Sequence, residues 1–381
     1  MRRQTKKVLI IAIASFTFVG ILPSVLVPTI NSKLIATSHL IGHRGWSAKY
    51  FQNTYAAFNG AVGGEHAKFW GAETDLQMDH DGVIWCSHYI NPFEDGSKKI
   101  NVLTSAQIKA EYLKTTGSID TSTLPSKAFP TGALNPYHIN VPHDADNDQL
   151  CLFWNSEANG KGYLNSFLNN QAHPIIELKI ESVLGDTADS QHNCMTIDNT
   201  KVITFIDKIL TDIEAANDAS NHTLLSRCYF VSFFDDLLAA TITEMKDSKF
   251  NGYFNDINHN QFQKLLDDGG VGRYILSTNT NFTNQTPGEK SGSNTHFKNY
   301  TKYIDGSWCA SSELPKYPIG LDVYYAFVTS QMIAKAHENG VEVNCWTADY
   351  TRTEIAEALS LDILAKSGCD YITTDQWYDL K

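Results

Sequence analysis

The stretch Ser38-His39-Leu40-Ile41-Gly42-His43-Arg44-Gly45 opens the part of the chain that we expect to be globular. Its apolar residues predict a short buried strand over 38–42. A histidine and an arginine follow directly, and in a parallel β/α fold the carboxyl ends of the strands form the catalytic face. The first strand is therefore predicted to deliver His43 and Arg44 to a site.

The same rhythm continues through the chain, as short β-branched or aromatic runs alternate with stretches of helical spacing. Strands are predicted at 38–42, 71–77, 83–88, 174–180, 228–233, 252–255, 318–323, 341–347 and 370–373. Helices are predicted at 54–62, 105–113, 162–170, 197–216, 235–245, 329–339 and 351–366. The length of 381 residues allows one domain or two. The alternation favours one α/β domain, a (β/α)₈ TIM barrel over residues 38–381, with insertions near 89–173 and 277–316.

The N-terminus has the composition of a targeting segment. Four basic residues lie among the first seven, and an apolar run without charge follows from Val8 to Ile30. The run exceeds the ~7 to 15 residues of a usual signal core and approaches the ~20 that span a bilayer, although Pro23 and Pro28 interrupt its end. Residues 1–37 are therefore predicted to be a cleaved signal peptide or a membrane anchor. The protein is expected to be exported, either extracellular or anchored to the outer face of the membrane.

The charge of the chain excludes one class of partner. The whole sequence has 30 basic and 42 acidic residues, and the first 40 residues hold five of the basic ones and no acid. The remainder therefore carries 25 basic against 42 acidic residues, a net charge of −17. Such a body repels nucleic acid and anionic membrane surfaces. A small anion in a locally basic pocket is still compatible with it.

Seven widely spaced cysteines form no CxxC pair, so neither a zinc site nor a dense disulfide framework is predicted. Cys86, Cys228 and Cys345 lie in apolar runs and are expected to be buried thiols. Export would allow one or two disulfides, with Cys151, Cys194 and Cys309 as candidates in loops.

Three acids and a second histidine complete the candidate site. Glu73 and Asp75 are two residues apart, so on a strand their side chains share one face. The Asp81-Gly82 pair predicts a tight hairpin, which would place His88 opposite Asp75 after a two-residue turn or opposite Glu73 after a four-residue turn. In the strand predicted at 174–180, Glu177-Leu178-Lys179 alternates charges in an apolar run, and buried charges indicate a site.

At this point the chain resembles the glycerophosphodiester phosphodiesterase family. The resemblance runs in order through almost all of residues 38–381 and is specific in order and spacing. Its motifs are His43-Arg44-Gly45, Asn53-Thr54 with Ala57-Phe58, Gly71 to Asp75, Asp81-Gly82 to His88, Glu177-Leu178-Lys179, Ser232-Phe233, Gly340 to Thr347, and Gly368 to Asp375. Family members adopt a (β/α)₈ barrel, so the resemblance agrees with the strand pattern.

Carried over residue by residue, the resemblance implies a metal-dependent hydrolase that releases sn-glycerol 3-phosphate and an alcohol. The implied general acid and base are His43 and His88. The implied ligands of one divalent cation are Glu73, Asp75 and Glu177, and an all-carboxylate site suits Mg²⁺ or Ca²⁺. The implied phosphate-binding residues are Arg44 and Lys179, with Trp346 as an apolar wall of the pocket.

Two departures from the family pattern concern the substrate. Gln52 stands where the family usually has Glu, and Tyr89 stands where it usually has Asp after the second histidine. Related phospholipase D and sphingomyelinase D enzymes share the two-histidine barrel, so cleavage of a (lyso)phospholipid is the alternative activity. A third possibility, a non-catalytic binding barrel, is disfavoured because every core residue is present.

Overall fold

The computed structural model describes residues 38–63, 68–113, 146, 148–184, 194–245, 247, 250, 274–277, 320–324, 328, 330–348, 361, 363–375 and 377. Ala36–Lys381 forms one compact unit of the chain, and Met1–Ile35 is a second that lies outside the described residues. The predicted signal or anchor at residues 1–37 therefore falls outside them as well. Within the described ranges, no helix is both long and apolar enough to cross a membrane.

The described chain forms one mixed sheet of ten strands. They are β1 (His39–Gly42), β2 (Gly71–Met78), β3 (Ile84–Cys86), β4 (Cys151–Leu152), β5 (His173–Leu178), β6 (Tyr229–Ser232), β7 (Tyr274–Ser277), β8 (Gly320–Tyr324), β9 (Glu342–Ala348) and β10 (Tyr371–Thr374). Eight of them are parallel and pair in the order β1, β2, β5, β6, β7, β8, β9, β10, and β10 pairs again with β1. The parallel strands thus close into a ring, in agreement with the predicted barrel.

The described helices are α1 (Tyr55–Phe58), α2 (Ser105–Ile108), α3 (Glu181–Leu184), α4 (Cys194–Ala219), α5 (Asp235–Met245) and α6 (Ser330–Glu338). Thr54 caps α1, since its side chain accepts a hydrogen bond from the backbone N–H of Ala57. Thr104 and Gln107 form a capping box at α2. Both caps lie where Ser and Thr residues precede apolar helical spacing in the sequence.

Alternate residues of the parallel strands belong to two different cores. Leu40, Ile176 and Phe230 pack in a large cluster with apolar residues of α4 and α5. Their chain neighbours Ile41, Ile175, Tyr229 and Val231 form a separate cluster with Tyr371 of β10, which Trp70 joins. Because successive side chains of a strand point to opposite faces, the first cluster lies between sheet and helices and the second inside the ring.

The antiparallel strands β3 and β4 extend the sheet from β2, and β4 belongs to the segment predicted as an insertion at 89–173. In its described part this segment builds a small core with Trp85 of β3 rather than only loops. The core contains Trp85, Phe93, Ile100, Ile108, Leu113 and Leu150.

Several predicted elements differ from the observed ones. The helix predicted at 54–62 divides into α1 and a π-helical turn (Asn59–Gly63), and the one predicted at 162–170 is a single 3₁₀ turn (Leu164–Phe167). The short strand β7 was not predicted. The strand predicted at 252–255 and most of the helix predicted at 351–366 lie outside the described residues.

The cysteine prediction needs one correction. Cys86 and Cys228 are buried free thiols as predicted, but Cys345 forms a disulfide with Cys369. Cys345 lies in β9 and Cys369 precedes β10, and these two strands are neighbours in the sheet. The disulfide therefore depends on the order of the strands rather than on sequence spacing. Cys151, a candidate for a loop disulfide, is a buried free thiol on β4. The side chains of Cys194 and Cys309 lie outside the described residues.

Candidate active site

Three carboxylates converge on the inner face of the ring. Asp75 of β2 and Glu177 of β5 are direct partners in the parallel register, and Glu73 lies two residues before Asp75 on the same face. Each offers one oxygen, and the three oxygens lie within 4.8 Å of one another. The structure therefore brings together all three predicted metal ligands.

Burial gives these acids unequal pKa values. Burial raises the pKa of Glu177 to about 7, with Lys179 opposing the shift. Burial, with the neighbouring Asp75 and Glu177, also raises the pKa of Glu73 well above its ordinary value. For Asp75 the effect of burial is outweighed by Arg44, His88 and Lys179, which lower its pKa. The raised pKa values of Glu73 and Glu177 indicate that the nearby cations offset the burial of the three acids only in part.

The cluster fits a divalent cation by a second criterion. Glu73 Oε1 and Asp75 Oδ1 are buried, and neither has a hydrogen-bond partner among the described residues. Buried carboxylate oxygens without partners are costly, and Mg²⁺ or Ca²⁺ would satisfy them, since both cations prefer oxygen ligands. Lys179 Nζ partly compensates, at 2.6 Å from Glu177 Oε1 and 3.5 Å from Asp75 Oδ1.

Arg44 is fixed beside the acids by an unusual backbone. Its φ is 53°, the left-handed region that few non-glycine residues adopt. In this conformation its backbone N–H donates to Glu73 Oε2 at 2.9 Å, its Nη1 donates to Gln52 Oε1 at 2.6 Å, and its Nε lies 3.2 Å from Asp75 Oδ2. Burial lowers the pKa of the Arg44 guanidinium, but Asp75 and Glu73 outweigh it and raise the pKa. Arg44 is therefore a permanent cation, largely shielded from solvent, next to the acidic cluster.

The glycine after Arg44 explains the close packing of this loop. Gly45 has φ 84°, and a Cβ there would lie 2.6 Å from the carbonyl carbon of Ala57 in α1. Neither the backbone conformation nor the contact admits a larger residue. Gly45 thus lets the loop that carries His43 and Arg44 pack directly on α1.

Lys179 and two aromatic residues form another side of the site. Lys179 Nζ lies 5.1 Å from the centre of the Phe233 ring, within the range of a cation–π contact. The Phe233 ring meets the ring of Trp346 edge to face, with centroids 5.9 Å apart. Trp346 is therefore linked to Lys179 through Phe233, which sequence reasoning had placed in a motif without a role.

His43 lies directly after β1 and contacts the residue directly after β10. Its Nδ1 is 2.7 Å from Asp375 Oδ1, and Ser47 Oγ donates to the same oxygen at 2.6 Å. The side chains of His43 and Asp375 are 17% and 23% exposed, so the pair is accessible at the mouth of the ring.

His88 is reached by a hairpin whose register differs from both predictions. The observed pairs are Leu76 with Cys86 and Met78 with Ile84, so Ser87 rather than His88 lies opposite Asp75. The reason is a five-residue loop: Asp79 Oδ1 accepts hydrogen bonds from the backbone N–H groups of Asp81 and Val83. His88 lies beyond the paired residues.

The second histidine still lies within electrostatic range of Asp75. Burial, together with Arg44 and Lys179, lowers the pKa of His88 well below its ordinary value, while Asp75 opposes the shift. Within the described part of the chain, His88 Nδ1 is buried without a hydrogen-bond partner. The ring of Tyr89 packs edge to face on that of His88, with centroids 4.5 Å apart.

Comparison with known proteins gives a family for this arrangement. The sequence profile described as "Glycerophosphoryl diester phosphodiesterase family" matches residues 43–377. The chain belongs to this family. The predicted enzyme class, a phosphoric diester hydrolase, is thereby confirmed, and the family implies a TIM barrel.

Solved structures are similar at low identity. A Silicibacter pomeroyi protein assigned to the same family is 16% identical, over 89% of this chain and 90% of that one, with a TM-score of 0.55. An Oleispira antarctica phosphodiesterase in complex with the product sn-glycerol-3-phosphate is 13% identical, over 89% and 93% of the two chains, with a TM-score of 0.47. The first of these likenesses supports the fold alone. No curated protein sequence matches the chain.

Two polar residues of this family member were not predicted to serve the site. Asn53, quoted only as part of a motif, has φ 57° and donates to Asp75 Oδ2 at 3.1 Å while accepting from Thr74 Oγ1 at 3.0 Å. The second is Asp375, quoted only as the end of a motif. The alternation of Tyr371, Thr373 and Asp375 was the available signal in the sequence.

Proposed function

We propose that the protein hydrolyses glycerophosphodiesters to sn-glycerol 3-phosphate and an alcohol in a reaction that depends on one divalent cation. The observation that carries this proposal is the buried cluster of Glu73, Asp75 and Glu177, bordered by Arg44 and Lys179. A site with three acids, two fixed cations and two histidines has the groups that phosphodiester hydrolysis requires. Membership of the family supports the same reaction class.

In this proposal the basic residues bind the phosphate beside a divalent cation. Glu73, Asp75 and Glu177 would hold Mg²⁺ or Ca²⁺, which would supply positive charge to the phosphoryl oxygens. Arg44 and Lys179 add charge that the protein fixes in place. Trp346 and Phe233 form an apolar wall beside Lys179. The partner is thus a small phosphodiester.

His43 and His88 carry out the proton transfers. One imidazole removes a proton from the attacking water, and the other protonates the alkoxide that leaves. Each transfer contributes about 10² to 10⁴ in rate when the group is well placed. The ordinary pKa of histidine lies close to neutral pH, and burial lowers the pKa of His88, which favours its neutral form.

A second candidate substrate is a lysophospholipid. Tyr89 is 47% exposed and packs on His88, so an aromatic ring lies at the solvent-facing edge of the site. This arrangement would suit a longer alcohol or a lipid.

Export through residues 1–37, with membrane contact if that segment is uncleaved, stays a prediction that cell fractionation of the full chain checks.

The purified protein is incubated separately with glycerophosphocholine and lysophosphatidylcholine, each with Mg²⁺, Ca²⁺ or a chelator, and the products are identified. We expect chelator-sensitive sn-glycerol 3-phosphate from the first substrate. The Glu177→Gln variant should lose this activity, while Glu338→Gln, an exposed acid on α6, should keep it. Absence of the product from glycerophosphocholine would refute the proposal, and a cyclic phosphate from lysophosphatidylcholine would establish the second candidate.

A further inference from the structure

The register of the ring places His43 and Asp375 side by side. β1 and β10 pair as His39 with Tyr371 and so on up to Gly42 with Thr374, and His43 and Asp375 are the next residue of each strand. The backbone N–H of His43 donates to the carbonyl of Thr374 at 2.9 Å, so the pairing continues past the strand ends. The contact between the two side chains is therefore fixed by the sheet, not by a mobile loop.

The chemistry of the contact settles where the proton of His43 lies. An ionised carboxylate only accepts hydrogen bonds, so at 2.7 Å the Nδ1 atom of His43 must be the donor. The proton on Nδ1 leaves Nε2 as the atom that accepts or donates a proton. Ser47 Oγ donates to the same Asp375 oxygen at 2.6 Å, which holds that oxygen in position.

His88 lacks a comparable partner. Its Nδ1 is buried with no hydrogen bond among the described residues, and its neighbour is the ring of Tyr89. The two histidines of the site are therefore not equivalent. Only His43 has its tautomer and orientation set by a carboxylate.

On the basis of the proposed function, we propose that Asp375 is a positioning residue for catalysis. It holds the His43 imidazole as the Nδ1–H tautomer, directs Nε2 toward the reacting phosphodiester, and stabilises the imidazolium whenever Nε2 is protonated. Ser47 supports Asp375 in this role. Asp375 itself does not touch the substrate.

A purely structural role for Asp375 makes a different prediction. The backbone N–H of Ala48 donates to the backbone carbonyl of Asp375 at 3.0 Å, and this bond survives any substitution of the side chain. Asp375→Asn therefore keeps the main-chain link between the loop and β10. It removes the charge and lets the amide N–H₂ donate to Nδ1, which selects the wrong tautomer of His43.

The test compares Asp375→Asn, Asp375→Ala and Ser47→Ala with the wild type in hydrolysis of glycerophosphocholine at saturating Mg²⁺ or Ca²⁺. We expect both Asp375 variants to lose about 10² to 10⁴ in kcat with KM changed less than threefold, as for a carboxylate that orients a catalytic imidazole. Ser47→Ala should lose less than tenfold. Thermal unfolding checks that Asp375→Asn is folded. Wild-type kcat in Asp375→Asn would overturn the proposal.

A spectroscopic measurement separates this proposal from the proposed function. In protein labelled with ¹⁵N-histidine and free of substrate, we expect a strongly downfield Nδ1–H proton from His43, absent in His43→Ala and in Asp375→Asn. This signal does not depend on which phosphodiester is cleaved, so it can be measured even if glycerophosphocholine is not hydrolysed. Its absence in the wild type would overturn the proposal even if glycerophosphocholine is hydrolysed.

Discussion

The two ends of the strand ring are built from the same strands and the same inward face, but from opposite chemistry. On β5 the inward residues run from His173 through Ile175 to Glu177. His173 stacks on Trp70 with ring centroids 3.7 Å apart, while Glu177 belongs to the acidic cluster. The amino ends of the strands are thus closed by stacked rings and the carboxyl ends carry charge. Stability and catalysis are therefore assigned to different layers of one ring.

Among the described residues, the aromatic layer at the amino ends consists of rings that pack on one another. Trp70 lies among His39, His173, Tyr229 and Tyr371, with centroid distances from 3.7 to 5.3 Å. The hydroxyl groups of the two tyrosines lie 3.4 Å apart, and that of Tyr371 donates to Glu342 Oε2 at 3.0 Å. The two tyrosine hydroxyls thus have partners, as expected for packing.

The largest expected effect is on turnover, from a change at the carboxyl ends. His88→Ala should lower kcat for glycerophosphocholine by about 10² to 10⁴, because one of the two proton transfers is lost. Its free energy of unfolding should be unchanged or slightly higher, since the buried Nδ1 without a hydrogen bond is removed. Steady-state kinetics and denaturant unfolding measure the two effects. If His88→Ala kept the wild-type kcat, or if its kcat fell only because less of the protein was folded, the carboxyl ends could not be assigned to catalysis.

The next effect is on stability, from a change at the amino ends. Trp70→Ala should lower the free energy of unfolding by about 3 kcal/mol, because a large ring in contact with four others is removed. The kcat of the folded fraction should stay within about threefold of the wild type. Trp70→Phe is the matched control and should cost clearly less. A loss of kcat in a stable Trp70→Ala protein would show that the two layers are coupled.

The third prediction concerns the response of stability to metal and pH at the carboxyl ends. Burial raises the pKa of Glu177 to about 7 from an ordinary 4.5, so the folded metal-free protein retains a proton that the unfolded chain releases. The contribution of Glu177 to stability is therefore full below pH about 4.5 and is lost as pH rises through about 7. Mg²⁺ or Ca²⁺ at about 100 times its Kd should restore roughly 2.7 kcal/mol.

Glu177→Gln should remove this response. Its Tm in chelator should fall less than that of the wild type between pH 5 and 8, and added cation should raise it little. Differential scanning calorimetry of both proteins, with and without cation, measures the shifts. An equal cation-dependent rise of Tm in both proteins would show that Glu177 is not a ligand.

What the sequence predicted well is what lies close together along the chain. Glu73 and Asp75 share a face because of strand alternation alone, and the His43-Arg44-Gly45 motif follows its strand directly. The hairpin register was missed because one side chain, that of Asp79, closes a five-residue loop in place of the tight turn that Asp81-Gly82 predicts.

Long-range register was the other limit. Asp375 lies 332 residues from His43, and only closure of the ring between the first and last strands makes them neighbours. The Cys345–Cys369 disulfide likewise depends on the order of β9 and β10. The strand β7, Tyr274–Ser277, is too short to show a period.

The smallest expected effect lies at the amino ends and concerns an exposed pair. His337 Nε2 on α6 is 2.8 Å from Asp370 Oδ2, just before β10, and this hydrogen bond raises the pKa of His337. A histidine with a raised folded pKa contributes stability that is full below its unfolded pKa and is lost as pH rises through the folded value. His337→Ala should therefore cost less than about 1 kcal/mol at pH 6, because exposed pairs are screened, and nothing at pH 8.5.

Lys335→Ala is the matched control for His337→Ala, since it removes another exposed ion pair on α6, with Glu338, that contains no histidine. Its effect on the free energy of unfolding should be the same at both pH values. Neither variant should alter the pH profile of kcat, because α6 contributes no group to the acidic cluster. If His337→Ala shifted that profile, the amino ends would carry a charge that acts on the chemistry, and the separation of the two layers would be wrong.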